Sequence, residues 1–204
     1  MEYIKGHILP KSFYTRTDVV KIARELIGKV LVTDFKHQLT SGIIIETEAY
    51  AGINDKASHA FGGLRSKRTE IMYHEGGVAY IYLCYGIHSL FNVVTNVEGI
   101  PHAVLIRAIK PLNGKNIILE RIRKKKLEKH AGIGPGRVSK LLGLHYSQTG
   151  TAITNPENEN YLEIRIEDRG IIFDGSLIIA SPRIGVGYAG EDAQLPYRFV
   201  LNAK

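Results

Sequence analysis

The segment IETEAY, residues 45–50, carries two carboxylates and a tyrosine at alternate positions directly after an apolar run. In a β-strand alternate side chains point to the same face, so Glu46, Glu48 and Tyr50 lie opposite Ile45. If Ile45 faces the core, the two carboxylates face either solvent or a cleft. A solvated strand face is the simpler interpretation. In a partly dry cleft, one carboxylate could act as a general base that takes a proton from water.

The stretch YIYLCYG contains three tyrosines within six residues. Tyr80, Tyr82 and Cys84 share one face of the predicted strand. Tyr85 has the opposite parity and stands beside Gly86, where the strand is expected to end. Tyr82 and Tyr85 therefore cannot play the same part: one could line a pocket and the other could project from a turn. Since tyrosine favours strands, ordinary strand packing is the alternative.

Asn92 and Arg107 are polar residues within the apolar strands of LFNVVTNVEGIPHAVLIRAI. Each is costly to bury without a hydrogen-bond partner. A buried arginine beside a glutamate would keep that carboxylate ionised. The alternative places Asn92 on an edge strand and Arg107 on the surface.

Neither a metal nor a cofactor is expected. None of the eight histidines has the HExxH or HxH spacing of a metal site. Residues 185–190, GVGYAG, match GxGxxG, but a dinucleotide site needs a helix directly afterwards, and Pro196 leaves little room for one. We predict a tight turn there, made possible by glycine.

Lysine and arginine outnumber aspartate and glutamate by 27 to 20, which gives a net charge of +7 and a pI near 9.4. Such an excess favours anionic partners, nucleic acid first among them; a basic enzyme without a polyanionic partner is the alternative. Residues 120–130, ERIRKKKLEKH, are expected to form a solvated face. In GIGPGRVSK, a Gly-rich lead into a short helix exposes backbone N–H groups near Arg137 and Lys140, which predicts a phosphate site.

Strand patterns follow one another more than they alternate with helical patterns, so we expect one α+β domain, residues 1–204, around a largely antiparallel sheet. Residues 51–77 are expected to be irregular. Three helices are predicted, with Thr17 as the N-cap of the first: residues 18–27, 115–130 and 137–142. The predicted strands are residues 29–34, 42–50, 78–85, 89–95 and 103–109, followed by a mostly β tail from residue 162.

An intracellular protein is expected, in the cytoplasm or nucleoid if the source is bacterial. The single cysteine, Cys84, excludes an internal disulfide and fits a reducing setting. No apolar run approaches the roughly 20 residues that a membrane helix needs. Lys5, His7 and Lys11 interrupt the N-terminus too early for a signal peptide.

Taken in order, several of these segments resemble one enzyme family. ETEAY, ASHAFGG, YIYLCYG, an asparagine seven residues beyond the last Tyr of that stretch, VLIRAIKP and RIGVGYAGE are similar to the alkyladenine (3-methyladenine) DNA glycosylases of the mammalian/bacterial type, from about residue 8 to residue 200. Each motif alone is weak, and their joint order and spacing are specific. The resemblance implies a single mixed domain with a curved antiparallel sheet, flanking helices and a protruding β-hairpin.

The resemblance also implies roles for individual residues. Glu48, the second glutamate of ETEAY, corresponds to the base that activates water, and Arg107 to the arginine that helps hold that water. The walls of the base pocket correspond to Tyr50, His59 and Tyr82.

Two further residues correspond to DNA and base contacts of the family. Tyr85 corresponds to the residue pushed into the duplex where the base has left, and Asn92 to the residue that discriminates against the guanine amino group. Tyr188 is a departure, because some relatives are expected to have histidine there. That difference bears on fine DNA contacts and not on the chemistry.

We therefore expect a monofunctional DNA glycosylase of base excision repair, as the resemblance implies. It would flip 3-methyladenine, 7-methylguanine, hypoxanthine or ethenoadenine out of double-stranded DNA and hydrolyse the N-glycosidic bond with a water activated by Glu48. We expect it to act as a monomer, without a metal, a cofactor or a membrane.

Three alternatives compete with this prediction. A metal-dependent nuclease could use Glu46, Glu48 and Asp55 as ligands, and would lose activity in EDTA. A non-catalytic module could bind bent or damaged DNA without releasing a base. A nucleoside hydrolase acting on small molecules is disfavoured by the basic charge.

Overall fold

A computed structural model describes residues 6–154 and 162–202. The strands within these residues are β1 (His7–Ile8), β2 (Val30–Phe35), β3 (Gln38–Tyr50), β4 (Ala79–Cys84), β5 (His88–Thr95), β6 (His102–Asn113), β7 (Leu162–Asp168), β8 (Ile178–Ser181) and β9 (Arg198–Leu201). The α-helices are α1 (Lys11–Tyr14), α2 (Val19–Glu25), α3 (Lys115–Ile122) and α4 (Pro135–Leu142). None of the helices in the described part is both long and apolar enough to cross a membrane.

Every strand pair is antiparallel, and the main order is β1-β7-β2-β3-β6-β5-β4. β3 is shared between neighbours. One of its edges pairs first with β2 and then with β9, which also carries β8, and its other edge pairs with β6. The sheet curls into a half-barrel flanked by helices. The predicted α+β fold with a curved antiparallel sheet is confirmed.

The main hydrophobic core lies on one face of this sheet, beneath α2 and α4. The two helices bury the apolar residues Val19, Ile22, Ala23, Val138, Leu141 and Leu142. Burial of each large aliphatic side chain contributes roughly 1.5–3 kcal/mol, so this face contributes strongly to the stability of the fold.

Asp18 and not Thr17 caps α2. The Asp18 carboxylate accepts a hydrogen bond of 2.9 Å from the backbone N–H of Lys21. The predicted N-cap is thus one residue too early. Aspartate and threonine are both good N-caps, so residue type alone does not decide between them.

An extra residue in β3 decides which of its side chains face the core. Ile44 lies opposite Ile109 and Glu46 opposite Ala108, so Ile45 has no partner on β6. Ile44 is fully buried in the core and Ile45 is not. The assumption that Ile45 faces the core is therefore wrong. A bulge shifts the alternation by one residue. Without it, a buried Ile44 would turn the glutamates of β3 into the core.

Beyond the bulge, the alternation of side chains places the candidate catalytic residues on the face of the sheet opposite the main core. Ala49 belongs to the main core, and the Thr47 hydroxyl donates to the Ala23 carbonyl of α2 at 2.8 Å. Glu46, Glu48 and Tyr50 therefore share the opposite face, as the sequence predicts.

Residues 51–77 cover that opposite face at β4, β5 and β6. They are not uniformly irregular, because they contain short 3-10 helices at Gly52–Asn54, Phe61–Gly63 and Glu70–Tyr73. A second apolar cluster forms between this segment and the sheet, from Ala60, Met72, Tyr73, Tyr80, Val94 and Ala103.

The predicted helix over residues 115–130 is too long. α3 ends at Ile122, and Arg123 has a φ of +55°, which no α-helix can contain. Four consecutive cations begin there, and their repulsion opposes a continued helix. The chain instead runs beside β6, where the Ile109 N–H donates to the Gly132 carbonyl and the Gly134 N–H to the Arg107 carbonyl.

Candidate active site

The pairing of β3 with β6 slips again directly after Glu46, and Arg107 is the residue left without a partner. Glu46 lies opposite Ala108 and Thr47 opposite Ile106, so β6 has one residue more than β3 at this point. Bulges re-aim side chains and are frequent next to active sites. The Arg107 guanidinium reaches the glutamates of β3.

Glu48 is fully buried, and its carboxylate accepts three hydrogen bonds. The Tyr50 hydroxyl donates to Oε2 at 2.8 Å, and Arg107 Nη1 donates to the same oxygen at 3.3 Å. The backbone N–H of Ile184 donates to Oε1 at 2.7 Å. Such donors make the burial of a carboxylate tolerable. A solvated strand face therefore does not describe Glu48.

Tyr50 keeps its proton at neutral pH. Burial, and then the charge of Glu48, raise the pKa of the Tyr50 hydroxyl well above its ordinary value. The hydroxyl is thus a donor to Glu48 throughout the physiological range.

A cavity of about 240 Å³ adjoins this carboxylate. All three hydrogen-bond partners of Glu48 line it, namely Tyr50, Arg107 and Ile184. The predicted site residues found in its lining are Tyr50, His59, Tyr82, Tyr85, Asn92 and Arg107. Six predicted side chains thus meet at one cavity, and Glu48 lies behind three of its lining residues, to which it is hydrogen-bonded.

One wall of the cavity consists of His59, Tyr80 and Tyr82. His59 Nδ1 lies 2.8 Å from the Tyr80 hydroxyl, and its ring packs edge-on against Tyr82 with a centroid distance of 4.6 Å. Burial, with a smaller effect of Arg68, lowers the pKa of His59 to about 4. Burial also raises the pKa of both tyrosines. The wall is therefore aromatic and uncharged at pH 7.

Asn92 is fixed within the sheet and does not lie on an edge strand. It is buried on β5, opposite Tyr80 of β4 and Leu105 of β6. Its Nδ2 donates to the carbonyls of Tyr80 and Leu90, each at 3.1 Å. With both amide hydrogens engaged, Asn92 presents one rigid orientation to the cavity.

Tyr85 stands at the mouth of the cavity, at the tip of the β4–β5 hairpin, and is 92% exposed. Tyr85 and Gly86 have φ values of +51° and +73°. Two consecutive residues with positive φ are required by a type I′ hairpin turn, and the second is strain-free only for glycine. Leu83 and Ile87 are exposed beside Tyr85, so the tip presents an apolar surface to solvent.

The glycine-rich segment forms another part of the wall. Ile184, Gly185, Val186 and Tyr188 line the cavity. The predicted tight turn is only part of the local structure, because 3-10 helical turns follow over Gly187–Gln194, with a kink at Gly190. The Tyr188 hydroxyl donates to the Ala57 carbonyl at 3.2 Å, which ties this wall to the 51–77 segment.

A buried ion pair that the sequence did not reveal holds this wall in place. Arg183 donates to both carboxylate oxygens of Asp55, at 2.5 and 2.8 Å, and also to the Ala49 carbonyl at 2.9 Å. Its guanidinium lies 4.9 Å from the Tyr50 ring centroid. Because Ile184 follows Arg183 directly, the ion pair fixes the N–H that Glu48 accepts. Within the sequence, a lone arginine before a glycine-rich segment is the only sign of it.

Arg137 and Lys140 do not belong to this cavity. They line a second one, of about 210 Å³, together with Lys124, Lys126 and Glu128, whose carboxylate pairs with Lys124. α4 nevertheless begins close to the hairpin, because a side-chain Cβ at Gly136 would lie 3.0 Å from the His88 ring.

The three carboxylates considered as nuclease ligands do not form one cluster. Glu46 and Glu48 contact Arg107, whereas Asp55 is paired with Arg183. No group of three or more potential ligands from His, Cys, Asp and Glu occurs within residues 6–154 and 162–202.

Comparison with known proteins agrees with this geometry. Residues 12–204 match the family model described as methylpurine-DNA glycosylase. A protein of Chlamydia felis, named "putative 3-methyladenine DNA glycosylase", is 46% identical over 97% of both chains. Proteins with the same name from Bacillus cereus, at 39% identity over 93% of each chain, and Desulfitobacterium hafniense, at 38% over 95% of this chain and 94% of that protein, are also similar. The chain belongs to the methylpurine-DNA glycosylase family and is a DNA glycosylase of DNA repair, a hydrolase of N-glycosyl bonds.

Proposed function

We propose that this glycosylase removes alkylated or deaminated purines from double-stranded DNA with a water molecule activated by Glu48. The observation that carries the proposal is the position of Glu48, which is fully buried and hydrogen-bonded to three residues that line an aromatic cavity. The proposed substrates are 3-methyladenine, 7-methylguanine, hypoxanthine and ethenoadenine.

The first step of the proposal is extrusion of the damaged nucleotide. A base within a duplex cannot reach a cavity, and turning it out costs roughly a few kcal/mol, least for a base that pairs poorly. Tyr85 is exposed at the tip of a hairpin beside the mouth of the cavity. Apolar and aromatic wedges fill such gaps in a duplex from the minor groove. Tyr85 would occupy the space that the base leaves and slow its return.

The second step is recognition of the base between aromatic side chains. Alkylation at N3 or N7 makes a purine cationic, and an aromatic face attracts a cation by roughly 0.5–2 kcal/mol. Tyr50 and Tyr82 would supply these faces. His59 is neutral at pH 7 and adds no repulsion, since burial keeps its pKa at about 4. Asn92, held rigidly by two carbonyls, would exclude the amino group of guanine.

The third step is cleavage of the N-glycosidic bond. Positive charge develops on the sugar as the bond breaks, by analogy with glycoside hydrolysis. An ionised Glu48 would stabilise that charge and take a proton from the attacking water. Tyr50 and Arg107 stand between the carboxylate and the cavity, so the water would be held among these three groups.

Phosphates of the duplex would be held by the second, basic cavity. Arg137 and Lys140 line it with Lys124 and Lys126, at the side of the hairpin where α4 begins. Their positive charges suit phosphate oxygens, which supply most of the sequence-independent affinity for DNA.

One incubation separates this proposal from its alternatives. Duplexes that carry a single hypoxanthine or 3-methyladenine are incubated with the protein in EDTA, and abasic sites are then cleaved with alkali. We expect strand breaks only after alkali and only at the lesion. Breaks before alkali that disappear in EDTA would indicate a metal-dependent nuclease. Tight binding with no abasic site would indicate a non-catalytic module.

A further inference from the structure

The proposed mechanism leaves the Glu46 carboxylate without a role. It lies one alternation before Glu48 on β3 and faces the same side of the sheet. Its side chain is only 10% exposed. A carboxylate without a structural or functional role on a strand would lie in solvent. The burial of Glu46 therefore requires a physical explanation.

Two arginines converge on one oxygen of Glu46. Arg107 Nε donates to Oε1 at 3.1 Å, and Arg198 Nε donates to the same oxygen at 2.8 Å. Arg198 lies on β9, and its Nη1 also donates to the Ser181 hydroxyl of β8 at 3.2 Å. Arg198 of β9 therefore anchors Glu46 from the edge of β3 opposite β6, and Glu46 in turn holds Arg107.

Arg107 divides its guanidinium between the two glutamates of β3. Its Nε serves Glu46, and its Nη1 lies 3.3 Å from Glu48. That second distance exceeds the roughly 2.7–2.9 Å of a strong charge-assisted hydrogen bond. Without Glu46, Glu48 would be the nearest anion, and a guanidinium readily forms a bidentate pair with a single carboxylate. Such a pair would occupy the oxygens that must accept the proton of the attacking water.

Backbone pairing with β3 also does not restrain Arg107. It sits at the bulge and has no partner in the register of the two strands. Its side chain is 12% exposed, so solvent does little to hold it. The Glu46 carboxylate is thus the group that sets the direction of the guanidinium.

We infer that Glu46 is a positioning residue for the glycosylase reaction. It holds Arg107 back from a bidentate pair with Glu48, so that the guanidinium and the Glu48 carboxylate together leave room for one water. Arg198 fixes Glu46 from the other side. The inference rests on the proposed role of Glu48 and deepens it.

The direct test is Glu46→Gln, measured as single-turnover excision of hypoxanthine with saturating enzyme. A misplaced group at a reacting centre costs about a hundredfold, so we expect a loss of roughly 10- to 100-fold in rate. Affinity for a duplex with a tetrahydrofuran abasic analogue should change by no more than about twofold, because DNA contacts are untouched. An unchanged rate would overturn the inference.

A double-mutant cycle distinguishes positioning from general support of the fold. If Glu46 acts through Arg107, Glu46→Gln/Arg107→Gln should be no slower than Arg107→Gln alone, to within about twofold. Losses that multiply would show that Glu46 acts independently of Arg107, and the inference would fail. If Glu46→Gln does not fold, Arg198→Gln takes its place in the same cycle, with the same expectation.

Glu163→Gln is the matched control. Glu163 is also a strand carboxylate paired with an arginine, Arg165, but it lies on β7 away from the cavity. Its loss should leave the excision rate unchanged. If the wild-type protein itself released no base, the proposed function would fail; if only the Glu46 variants behaved like wild type, this inference alone would fail.

Discussion

His59 is held in one protonation state by its surroundings. Burial is the main cause of its lowered pKa, about 4 against an ordinary 6.5, and its Nδ1 is engaged with the Tyr80 hydroxyl. The unfolded chain therefore binds more protons than the folded chain between these two pKa values. Folding stability should accordingly be complete above pH 6.5 and fall as the pH drops towards 4.

We predict that His59→Gln removes part of this acid sensitivity. From the two pKa values, His59 should cost the wild type about 2 kcal/mol of folding free energy between pH 7.5 and pH 5. Urea denaturation of both proteins at the two pH values measures it. His102, whose pKa burial also lowers, remains in both proteins and cancels in the comparison. Equal losses in the two proteins would contradict the assignment.

The side chains of the site could largely be predicted from the sequence, whereas its backbone hydrogen-bond donors could not. Strand alternation and composition drew attention to the segments that hold Glu48, Tyr82, Asn92 and Arg107, and the family resemblance assigned their individual roles. Tyr82, Asn92 and Arg107 line one cavity, and Glu48 accepts a hydrogen bond from Arg107. The N–H of Ile184 could not be found in this way, because a backbone donor leaves no mark in the sequence.

The β4–β5 hairpin is the element that presents Tyr85 to DNA in our proposal. Its turn places two positive φ values in succession, and Gly86 makes the second possible. We predict that Tyr85→Ala weakens retention of the flipped base by about tenfold, the equivalent of one lost stacking contact. Fluorescence of ethenoadenine in a duplex reports the flipping equilibrium.

Tyr85→Phe is the control for that experiment, because it keeps the ring and removes only the hydroxyl. It should resemble the wild type. An unchanged flipping equilibrium in Tyr85→Ala would exclude the hairpin tip from this role.

The Asp55–Arg183 pair joins two elements that form walls of the cavity. We predict that Asp55→Asn destabilises the protein by about 3–5 kcal/mol, because it leaves a buried guanidinium without its anion. Thermal and urea unfolding measure the loss. Glu70→Gln breaks another bidentate pair, with Arg65, which lies in solvent and should matter little. Similar losses in both variants would contradict the prediction.

Strands and helices could be predicted where the sequence pattern was regular. The prediction failed where the register between two strands shifts. The alternation along residues 42–50 predicted the strand and the shared face of Glu46, Glu48 and Tyr50, and left open whether that face met solvent or a cleft. The bulges at Ile45 and Arg107 depend on pairing between β3 and β6. No local pattern encodes which partner residue is skipped. The end of α3 at Ile122 was missed for a different reason, since lysine and arginine are individually good helix formers and only their mutual repulsion opposes the helix.

The positive charge of the protein is concentrated in one part of the chain. Residues 115–142 contain nine lysines and arginines and two glutamates, so they carry the entire net charge of +7. The remaining residues balance at eighteen charges of each sign. The overall pI predicted an anionic partner, but only the fold brings these charges around a cavity next to the hairpin.

We predict that this basic segment sets the salt dependence of DNA binding. Replacing Lys124, Lys126 and Lys140 by glutamine should reduce the slope of log affinity against log salt by about 2–3, close to 0.9 for each lost phosphate contact. Titrations of undamaged duplex at several salt concentrations measure the slope. Single-turnover excision at saturating enzyme should stay near the wild-type rate.

A matched triple substitution controls for net charge. Lys21, Lys36 and Lys110 are exposed and do not line the basic cavity. Their replacement by glutamine lowers the net charge equally but should leave the slope nearly unchanged. Equal effects of the two triple variants on the slope would show that DNA affinity depends only on the total charge of the protein, which would contradict the prediction.

The most direct test of the mechanism is single-turnover excision by Glu48→Gln on a duplex with one hypoxanthine. Glutamine keeps the shape of the side chain and cannot take a proton, and general-base catalysis contributes about 10²–10⁴-fold. We expect excision to fall by that factor while the affinity for lesion-containing DNA is retained. Excision near the wild-type rate would contradict the role of Glu48.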